Sequence, residues 1–512
     1  MNGADSLIQT LTHQGIDLCL ANPGTSEMHL VQALDGVPAM RSVLTLFEGV
    51  ATGAADGYGR MRGRPATTLL HLGAGLANGL ANLHNARRAG TPVINLVGDH
   101  ARQHVAFDAP LTADIEATAK MASGWIRTSK QPGLVAGDAL DALRASLSGD
   151  PFSSVATLIV PADCAWGDAE ARLDERIEAQ PAKVSDRAVE RAARALSGDA
   201  LLLVDGGGLV GEGALAAARV AAASGARLSS PTFPARVDSG AGRPAIPRMP
   251  YFPEQILELM ASVKTLVLAG ADSPVSFFAY QQLPSDLVPD GCEVIRLAHR
   301  HDDVADALGR LADLVGGPTN ADVSPRADHD APTGKLSAGS IGRALAAMLP
   351  EDAIVAVDSG GGGAAYGALQ TSAPHTWLNL TGGSIGQGGP AATGAALACP
   401  DRPVFALLGD GGAGYTIQYL WTCARENLNV TTVIYSNRSY NILDTEYRRL
   451  GINEVGEIAA SLFDLSKPDI DWCSIATGYG VPATRVDSAE GMVKALATAA
   501  AEPGPALIEA VL

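Results

Sequence analysis

At 512 residues the chain is too long for one hydrophobic core, and its length alone predicts about three domains. Hydrophobic residues at 47% and charged residues at 18% exclude a disordered chain. The net charge of −18 excludes broad nucleic-acid binding, because no basic stripe is available to neutralise phosphates.

The predicted elements alternate from the start. Residues 5–14 read as an amphipathic helix, 17–21 as a strand, 48–60 as a helix, and 67–70 and 93–97 as compact apolar strands. Short apolar runs separated by helices imply parallel βα units covered on both faces. This first domain spans residues 1–167 and leads into a charged linker over 168–182. A central domain over 183–316 opens with the strand 200–204, followed by a triglycine turn after Asp205, a helix over 213–223 and a strand over 265–269. A polar, proline-containing linker over 316–334 precedes a third domain, 335–512, with strands at 354–357, 404–408 and 430–435. The fold class is therefore α/β, with three doubly wound, mostly parallel-sheet domains.

The strand 404–408 runs directly into Gly409, Asp410, Gly411, Gly412, Ala413 and Gly414. A helix is predicted over 415–426, and the strand 430–435 ends at Ser436 and Asn437. Glycines let a backbone approach phosphate oxygens, and a helix start directs N–H groups and a positive dipole end at them. Asp410 offers a hard carboxylate oxygen to Mg²⁺, and Asn437 an amide oxygen from the end of the neighbouring strand.

This stretch resembles the thiamine-diphosphate enzyme family, whose motif is GDG followed by about thirty residues and NN. The resemblance places Mg²⁺ on Asp410, Asn437 and the backbone carbonyl of Ser439, with Tyr440 alongside; Ser436 replaces the first Asn of the pair. Glu48, in a stretch running through Ala55, Gly57 and Tyr58, matches the glutamate that bonds N1′ of the aminopyrimidine. Ile385 takes the place of the apolar wedge under the cofactor, and the Gly383 carbonyl would accept from the 4′-amino group. Asp358, Ser359 and Gly360 fall near the diphosphate by the same resemblance. The three domains become pyrimidine-binding, central and diphosphate-binding. The family's sites lie between subunits, implying a homodimer or homotetramer.

The implied activity is decarboxylation of a 2-oxo acid, through an enamine that is then protonated to an aldehyde or captured by a second carbonyl. Asn22, Pro23, Gly24, Thr25, Ser26 and Glu27 resemble the NPG loop of benzoylformate decarboxylase, with Thr25 as the hydroxyl residue on the substrate carboxylate. The run from Leu70 to Asn78 resembles that enzyme's histidine segment, giving His71 a proton-relay role. Gln281 stands where a second histidine is expected and cannot shuttle a proton, which leaves room for carboligation. Ile442 and Glu446 fall at pocket-lining positions, and the Glu446 carboxylate predicts a smaller or polar, even cationic, substrate.

Acetolactate synthase catalytic subunits share the layout, but residues 437–441 lack their Trp-containing continuation. FAD is possible but not favoured, because the triglycine turn after Asp205 is the only flavin-like feature. An NAD-dependent oxidoreductase lacks its GxGxxG spacing. A non-catalytic, cofactor-binding regulatory subunit would require loss of Glu48 or Asp410, and both are present. The six cysteines (Cys19, Cys164, Cys292, Cys399, Cys423, Cys473) are scattered and read as reduced, mostly buried side chains. No signal-peptide pattern and no apolar run of about 18 residues occurs, so a soluble cytoplasmic protein without membrane or nucleic-acid partners is expected.

Overall fold

The structure, a computed structural model, describes residues 1–150, 152–452 and 454–512. Apolar runs of five to seven residues become strands buried on both faces, and three separate sheets result.

The first sheet contains β1 (Leu18–Asn22), β2 (Arg41–Leu44), β3 (Ala66–Leu70), β4 (Val93–Asp99), β5 (Trp125–Thr128) and β6 (Val155–Pro161). Its order is β2-β1-β3-β4-β6-β5, and every pairing is parallel. The helices Glu48–Arg62 and Leu72–Ala89 cover one face; each stops at a left-handed glycine, Gly63 and Gly90, with arginines in its last turn.

The central segment supplies β7 (Ala200–Val204), β8 (Arg227–Ser229), β9 (Arg236–Ser239), β10 (Thr265–Ala269) and β11 (Glu293–Ala298). Four of these form the parallel sheet β11-β10-β7-β8. The third sheet contains β12 (Ala353–Asp358), β13 (His375–Asn379), β14 (Val404–Gly409), β15 (Val430–Ser436), β16 (Ala483–Val486) and β17 (Ala506–Val511). Its order is β16-β17-β15-β14-β12-β13-β9. Here β9 leaves its own domain and pairs antiparallel with β13, so the third sheet is parallel except at this edge. The four-residue strand Arg236–Ser239 alternates half-buried and buried residues, but over four residues this periodicity is too short to reveal the exchange.

The first and third sheets share one hydrophobic cluster, running from Leu18 and Val50 through Leu378 to Leu408 and Ile434. At its centre the helices Glu48–Arg62 and Gly388–Ala398 touch backbone to backbone. A Cβ on Gly57 would lie 2.0 Å from the Ala391 carbonyl oxygen, and one on Gly394 would lie 1.8 Å from that of Ala54. The glycines of both helices are thus required by packing. Beside them the fully buried Asp56–Arg60 pair (2.7 Å) extends its guanidinium to the carbonyls of Ala235 and Asn379, tying all three segments together.

The expected helix over 415–426 is instead two short ones, Asp410–Thr416 and Tyr419–Arg425. The glycines after Asp410 read as a turn but adopt helical backbone, so the helix begins at Asp410 itself. All six cysteines are free, with Cys19, Cys164 and Cys423 buried. No described helix is long and apolar enough to cross a membrane.

Candidate active site

The site residues expected from sequence fall into two groups, each at the C-terminal edge of a parallel sheet, where such sheets offer loops and helix starts to a ligand. The first group follows β1 and β3. After Asn22 the chain makes a short turn, Thr25–Glu27, and after Leu70 His71 caps the helix Leu72–Ala89. Glu27 is fully buried. Its Oε2 lies 2.7 Å from His71 Nδ1 and accepts the Gly24 N–H at 2.8 Å, while its Oε1 accepts the Ser26 hydroxyl at 2.7 Å. Room for that carboxylate exists because β4 carries glycine opposite it: a Cβ on Gly98 would sit 1.9 Å from Glu27 Oε1.

The imidazole is therefore fixed through Nδ1, and its other face is open, with 22% of the side chain exposed. Thr25 is exposed at the start of the turn, and the hydroxyl that reaches His71 is that of Ser26, at 3.2 Å. Glu48 begins the next helix, is only 7% exposed, and accepts one hydrogen bond, from Asn78 Nδ2 at 3.0 Å. Gly75 separates it from His71: a Cβ there would lie 3.1 Å from Glu48 Oε1 and 3.4 Å from His71 Cβ. Among the described residues, no cationic side chain lies within 4 Å of the Glu48 carboxylate.

The second group lies at the edge of the third sheet, where Asp358, Ser359, Gly360, Gly383, Ile385, Ile442 and Glu446 line a cavity of about 940 Å³. Asp358 ends β12; Ser359 caps the helix Gly360–Ala368 by accepting the Gly362 N–H at 2.8 Å, leaving the first turn facing the cavity. Nothing lies within 4 Å of where a Cβ on Gly360 or Gly363 would be, so this helix start is an open cradle of N–H donors. Asp358 is buried, and its Oδ2 accepts the N–H groups of Gly386, Gln387 and Gly388 at 2.6, 2.9 and 3.2 Å. Burial, opposed by those three bonds, pushes its carboxyl up to about 6, and its Oδ1 has no partner. Gly383 and Ile385 reach the cavity from the following loop, where Gly383 has φ +78° and abuts the Phe277 ring.

Asp410 and Asn437 lie at the ends of β14 and β15, which are hydrogen-bonded neighbours. Asp410 is 4% exposed; Oδ1 accepts the Gly411 N–H at 2.9 Å and Oδ2 the Arg438 N–H at 2.6 Å, joining the two loops. Burial raises its pKa, a cost a bound cation would offset. Asn437 Oδ1 turns toward the Ser439 N–H at 3.1 Å, and the Tyr440 ring covers Gly411. One carboxylate, one amide oxygen and loop carbonyls at a single edge form a hard-oxygen set that suits Mg²⁺ rather than a softer metal. Among the described residues, no group of three or more His, Cys, Asp or Glu side chains could hold a metal.

Among the described residues, five that are not glycine have positive φ. Three are Asp or Asn, which visit that region readily; the other two are Leu72 and Arg438, the residues after His71 and Asn437. Strain of this kind concentrates where the chain must aim a functional group.

The remaining cavity wall comes from the central segment and the helix Asn441–Arg449. Ile442, Leu443 and Glu446 face Phe233, Tyr251, Phe252, Phe277 and Phe278, whose rings pack edge to face. Glu446 is not a bare carboxylate. The Tyr280 hydroxyl donates to it at 3.0 Å, and the Arg449 guanidinium lies 3.7 Å away, held between the rings of Phe252 and Tyr280 and bound to Glu254 at 2.8 Å. Gln281 is exposed and does not line the cavity; its neighbour Tyr280 makes the contact. Sequence reading also passed over Arg248 and the aromatic wall, which no local motif marks, and gave no role to Glu27 and Asn78, although both lie within the stretches compared.

The triglycine turn after Asp205 is filled by its own fold. A Cβ on Gly213 would lie 1.9 Å from the Gly207 carbonyl, Gly208 abuts Leu308 and Val304, and Asp205 is bound to Arg300 at 2.6 Å. The two main groups do not share the cavity: its lining begins at Thr232, and Thr25, Glu48 and His71 lie outside it.

Comparison with known proteins accounts for both edges. Residues 1–117 match the thiamine pyrophosphate enzyme N-terminal TPP binding domain, and residues 360–510 match the C-terminal TPP binding domain. The chain is 52% identical, over 100% of its length and 99% of the relative's, to a Mycobacterium tuberculosis protein named for the acetolactate synthase large subunit, IlvX. It is 29% identical to benzoylformate decarboxylase of Pseudomonas aeruginosa, over 98% and 97% of the two chains. The solved thiamine diphosphate-dependent 4-hydroxybenzoylformate decarboxylase of Rhodococcus jostii RHA1 has the same fold, with a TM-score of 0.86, 23% identity and coverage of 100% and 99%. The chain belongs to the thiamine pyrophosphate enzyme family, as a thiamine-diphosphate-dependent enzyme of the acetolactate synthase and benzoylformate decarboxylase type.

Proposed function

We propose that this enzyme is a Mg²⁺-dependent decarboxylase of 2-oxo acids, in which the carbon that loses CO₂ then takes up a proton, giving an aldehyde, or bonds to a second carbonyl carbon, giving a hydroxyketone. When bound, thiamine diphosphate supplies the electron sink that makes loss of CO₂ from a 2-oxo acid feasible. The observation that carries the reading is Glu48: a nearly buried carboxylate with one amide partner, next to a carboxylate-anchored histidine. Such a group is costly unless it meets a specific hydrogen-bond donor, and the aminopyrimidine is the donor the family offers.

Each residue then has a task. Glu48 holds a proton at the pyrimidine nitrogen. Glu27 fixes His71 so that its Nε2 points outward, where it can deliver or remove a proton at the reacting carbon. Thr25, exposed at the start of the same turn, would donate its hydroxyl to a substrate carboxylate, while the Ser26 hydroxyl is given to Glu27. Asp410, Asn437 and the Ser439 carbonyl would hold Mg²⁺, and the N–H groups at Gly360, Gly411, Gly412 and Ala413 the diphosphate. Gly383 and Ile385 would support the rings, and Ile442 and Glu446 bound the substrate space.

Sites of this family lie between subunits, and on that reading a second copy of the chain brings its Glu48 and His71 to this copy's Asp410 and Asn437. The minimum assembly is a homodimer. The three domains follow the three sheets, at 1–167, 183–316 and 335–512, with β9 exchanged between the second and third. The packed triglycine turn favours a structural role over flavin binding.

The test is to load the protein with thiamine diphosphate and Mg²⁺, supply a panel of 2-oxo acids, follow CO₂, and separate aldehydes from hydroxyketones. Release of CO₂ that depends on both additions is expected. No CO₂ from any 2-oxo acid would end this reading, and acetolactate from pyruvate would move it toward the synthase.

A further inference from the structure

The cavity wall contains three charged side chains, and two of them are already answered. Asp358 has three backbone N–H donors, and Glu446 has the Tyr280 hydroxyl and the nearby Arg449. The third is Arg248. Its Nη1 donates to Asn379 Oδ1 at 3.0 Å and its Nη2 to the Gly363 carbonyl at 3.1 Å, both neutral acceptors. The guanidinium lies 4.2 Å from the centre of the Tyr366 ring and 6.0 Å from that of Trp377. No carboxylate lies within 4 Å of it among the described residues. A guanidinium has five N–H donors, and only two are engaged here. Burial lowers its pKa, the direction expected of a cation lacking a counter-charge.

We infer that Arg248 is a specificity residue, and that the preferred 2-oxo acid carries a second anionic group, a carboxylate, at the end of its chain. The inference rests on the 2-oxo acid reading above and reverses the expectation drawn from Glu446 in the sequence. The Glu446 charge is met within the protein by Tyr280 and Arg449, whereas Arg248 has only neutral acceptors. Arg248 is half-buried, in a wall that also includes Phe233, Ile246, Met249 and Tyr251, so a facing carboxylate would be partly shielded from water and bonded in forked geometry. Its partner is not the carboxylate that leaves as CO₂. A guanidinium on that group would stabilise the ground-state charge that the reaction must disperse, and so raise the barrier. A carboxylate several carbons away retains its charge throughout and gains binding without that cost.

The experiment uses the enzyme with thiamine diphosphate and Mg²⁺ and three acids of similar length: 2-oxohexanoate, 2-oxoadipate and 2-oxo-5-guanidinopentanoate. We expect kcat/KM for 2-oxoadipate to exceed that for 2-oxohexanoate by about tenfold or more, the scale of a charged hydrogen bond. In Arg248→Met that preference should collapse to within about threefold, with 2-oxohexanoate turnover and the Kd for thiamine diphosphate little changed; Arg248→Lys should restore part of it. Preference for the guanidinium-bearing acid, or no preference for 2-oxoadipate, would overturn the inference. So would a variant that loses cofactor affinity while keeping its selectivity, since Arg248 would then serve the diphosphate. If no acid releases CO₂, the function reading fails separately. Calorimetry with glutarate then decides about Arg248: saturable binding lost in Arg248→Met supports it, and absence of binding overturns it.

Discussion

The two sheet edges solve opposite problems. At the first, Glu27 and His71 hold each other and Asn78 holds Glu48 nearby, with Gly24, Gly75 and Gly98 giving up side chains to make room. At the third, side chains recede and the backbone is presented: a helix start at Ser359, another at Asp410, and a run of small residues between. Proton transfer needs groups with defined positions and acidities, whereas a diphosphate needs many N–H donors and one hard cation. On the proposed function, the same α/β architecture gives one edge that acts and one that holds.

The sharpest way to break this division is Glu48→Gln. It keeps the shape and the Asn78 contact but removes the charge. The expected result is a fall in kcat of about 10³-fold with the Kd for thiamine diphosphate nearly unchanged. Isothermal titration beside steady-state kinetics checks both. Comparable loss of cofactor affinity would place Glu48 on the holding side instead.

Next in size is the carboxylate at the opposite edge. Burial raises Asp358 to about 6, so its folded pKa stands above the ordinary 3.8 of the unfolded chain. The associated stability is complete below pH 4 and is lost as pH rises through 6. Two units correspond to about 3 kcal/mol. Asp358→Asn retains an oxygen for the N–H groups of Gly386, Gln387 and Gly388 and cannot ionise. The apo wild type should therefore gain stability relative to this variant between pH 7 and pH 4, as urea titrations at each pH would show. A gap independent of pH would mean that Asp358 is charged throughout and counter-balanced.

How much of this division the sequence displays depends on whether the interactions are local. Glu48, Asp410 and Asn437 are legible because each stands at a fixed step from a strand end, and strand ends are visible as apolar runs. Glu27 was within view, five residues beyond Asn22, but its bond to His71 spans 44 residues and only the β1–β3 register makes it. Arg248 has no pattern of its own, since its partners Gly363 and Asn379 lie 115 and 131 residues away. The antiparallel edge strand β9 was missed for the same reason: pairing with β13 is decided by space left at the sheet edge, not by the four residues themselves. The helix at Asp410 was misplaced because glycine-rich sequence resembles a turn whether or not it is held in helical form by neighbours.

Gly98→Ala tests the acting edge without touching a polar group. The new methyl would meet Glu27 Oε1, at a distance no packing tolerates, and must displace the carboxylate or the strand. With Glu27 displaced, His71 loses its anchor. A drop in kcat of roughly 10- to 100-fold is expected, because the imidazole is no longer held in place for proton transfer. A drop in stability alone, with turnover per folded molecule intact, would show that the Glu27–His71 bond is not used.

The smallest effect is expected where the holding edge meets the central segment. Arg449 closes one side of the cavity by lying between Phe252 and Tyr280, with Glu254 and Glu446 on either side. Glu254 is about half exposed, so that ion pair contributes little, and the two ring contacts add roughly 0.5–1 kcal/mol each. Arg449→Met keeps much of the ring packing and removes the charge, so KM should rise only about three- to tenfold, with kcat held. It also frees Glu446, whose carboxylate would then face the cavity without its cation. In that variant selectivity should shift away from anionic chains, opposite in sense to what Arg248 supplies in the wild type. If kcat falls while KM stays, the clasp positions the metal loop that precedes the helix Asn441–Arg449, and the boundary between holding and acting must be redrawn through Asn437.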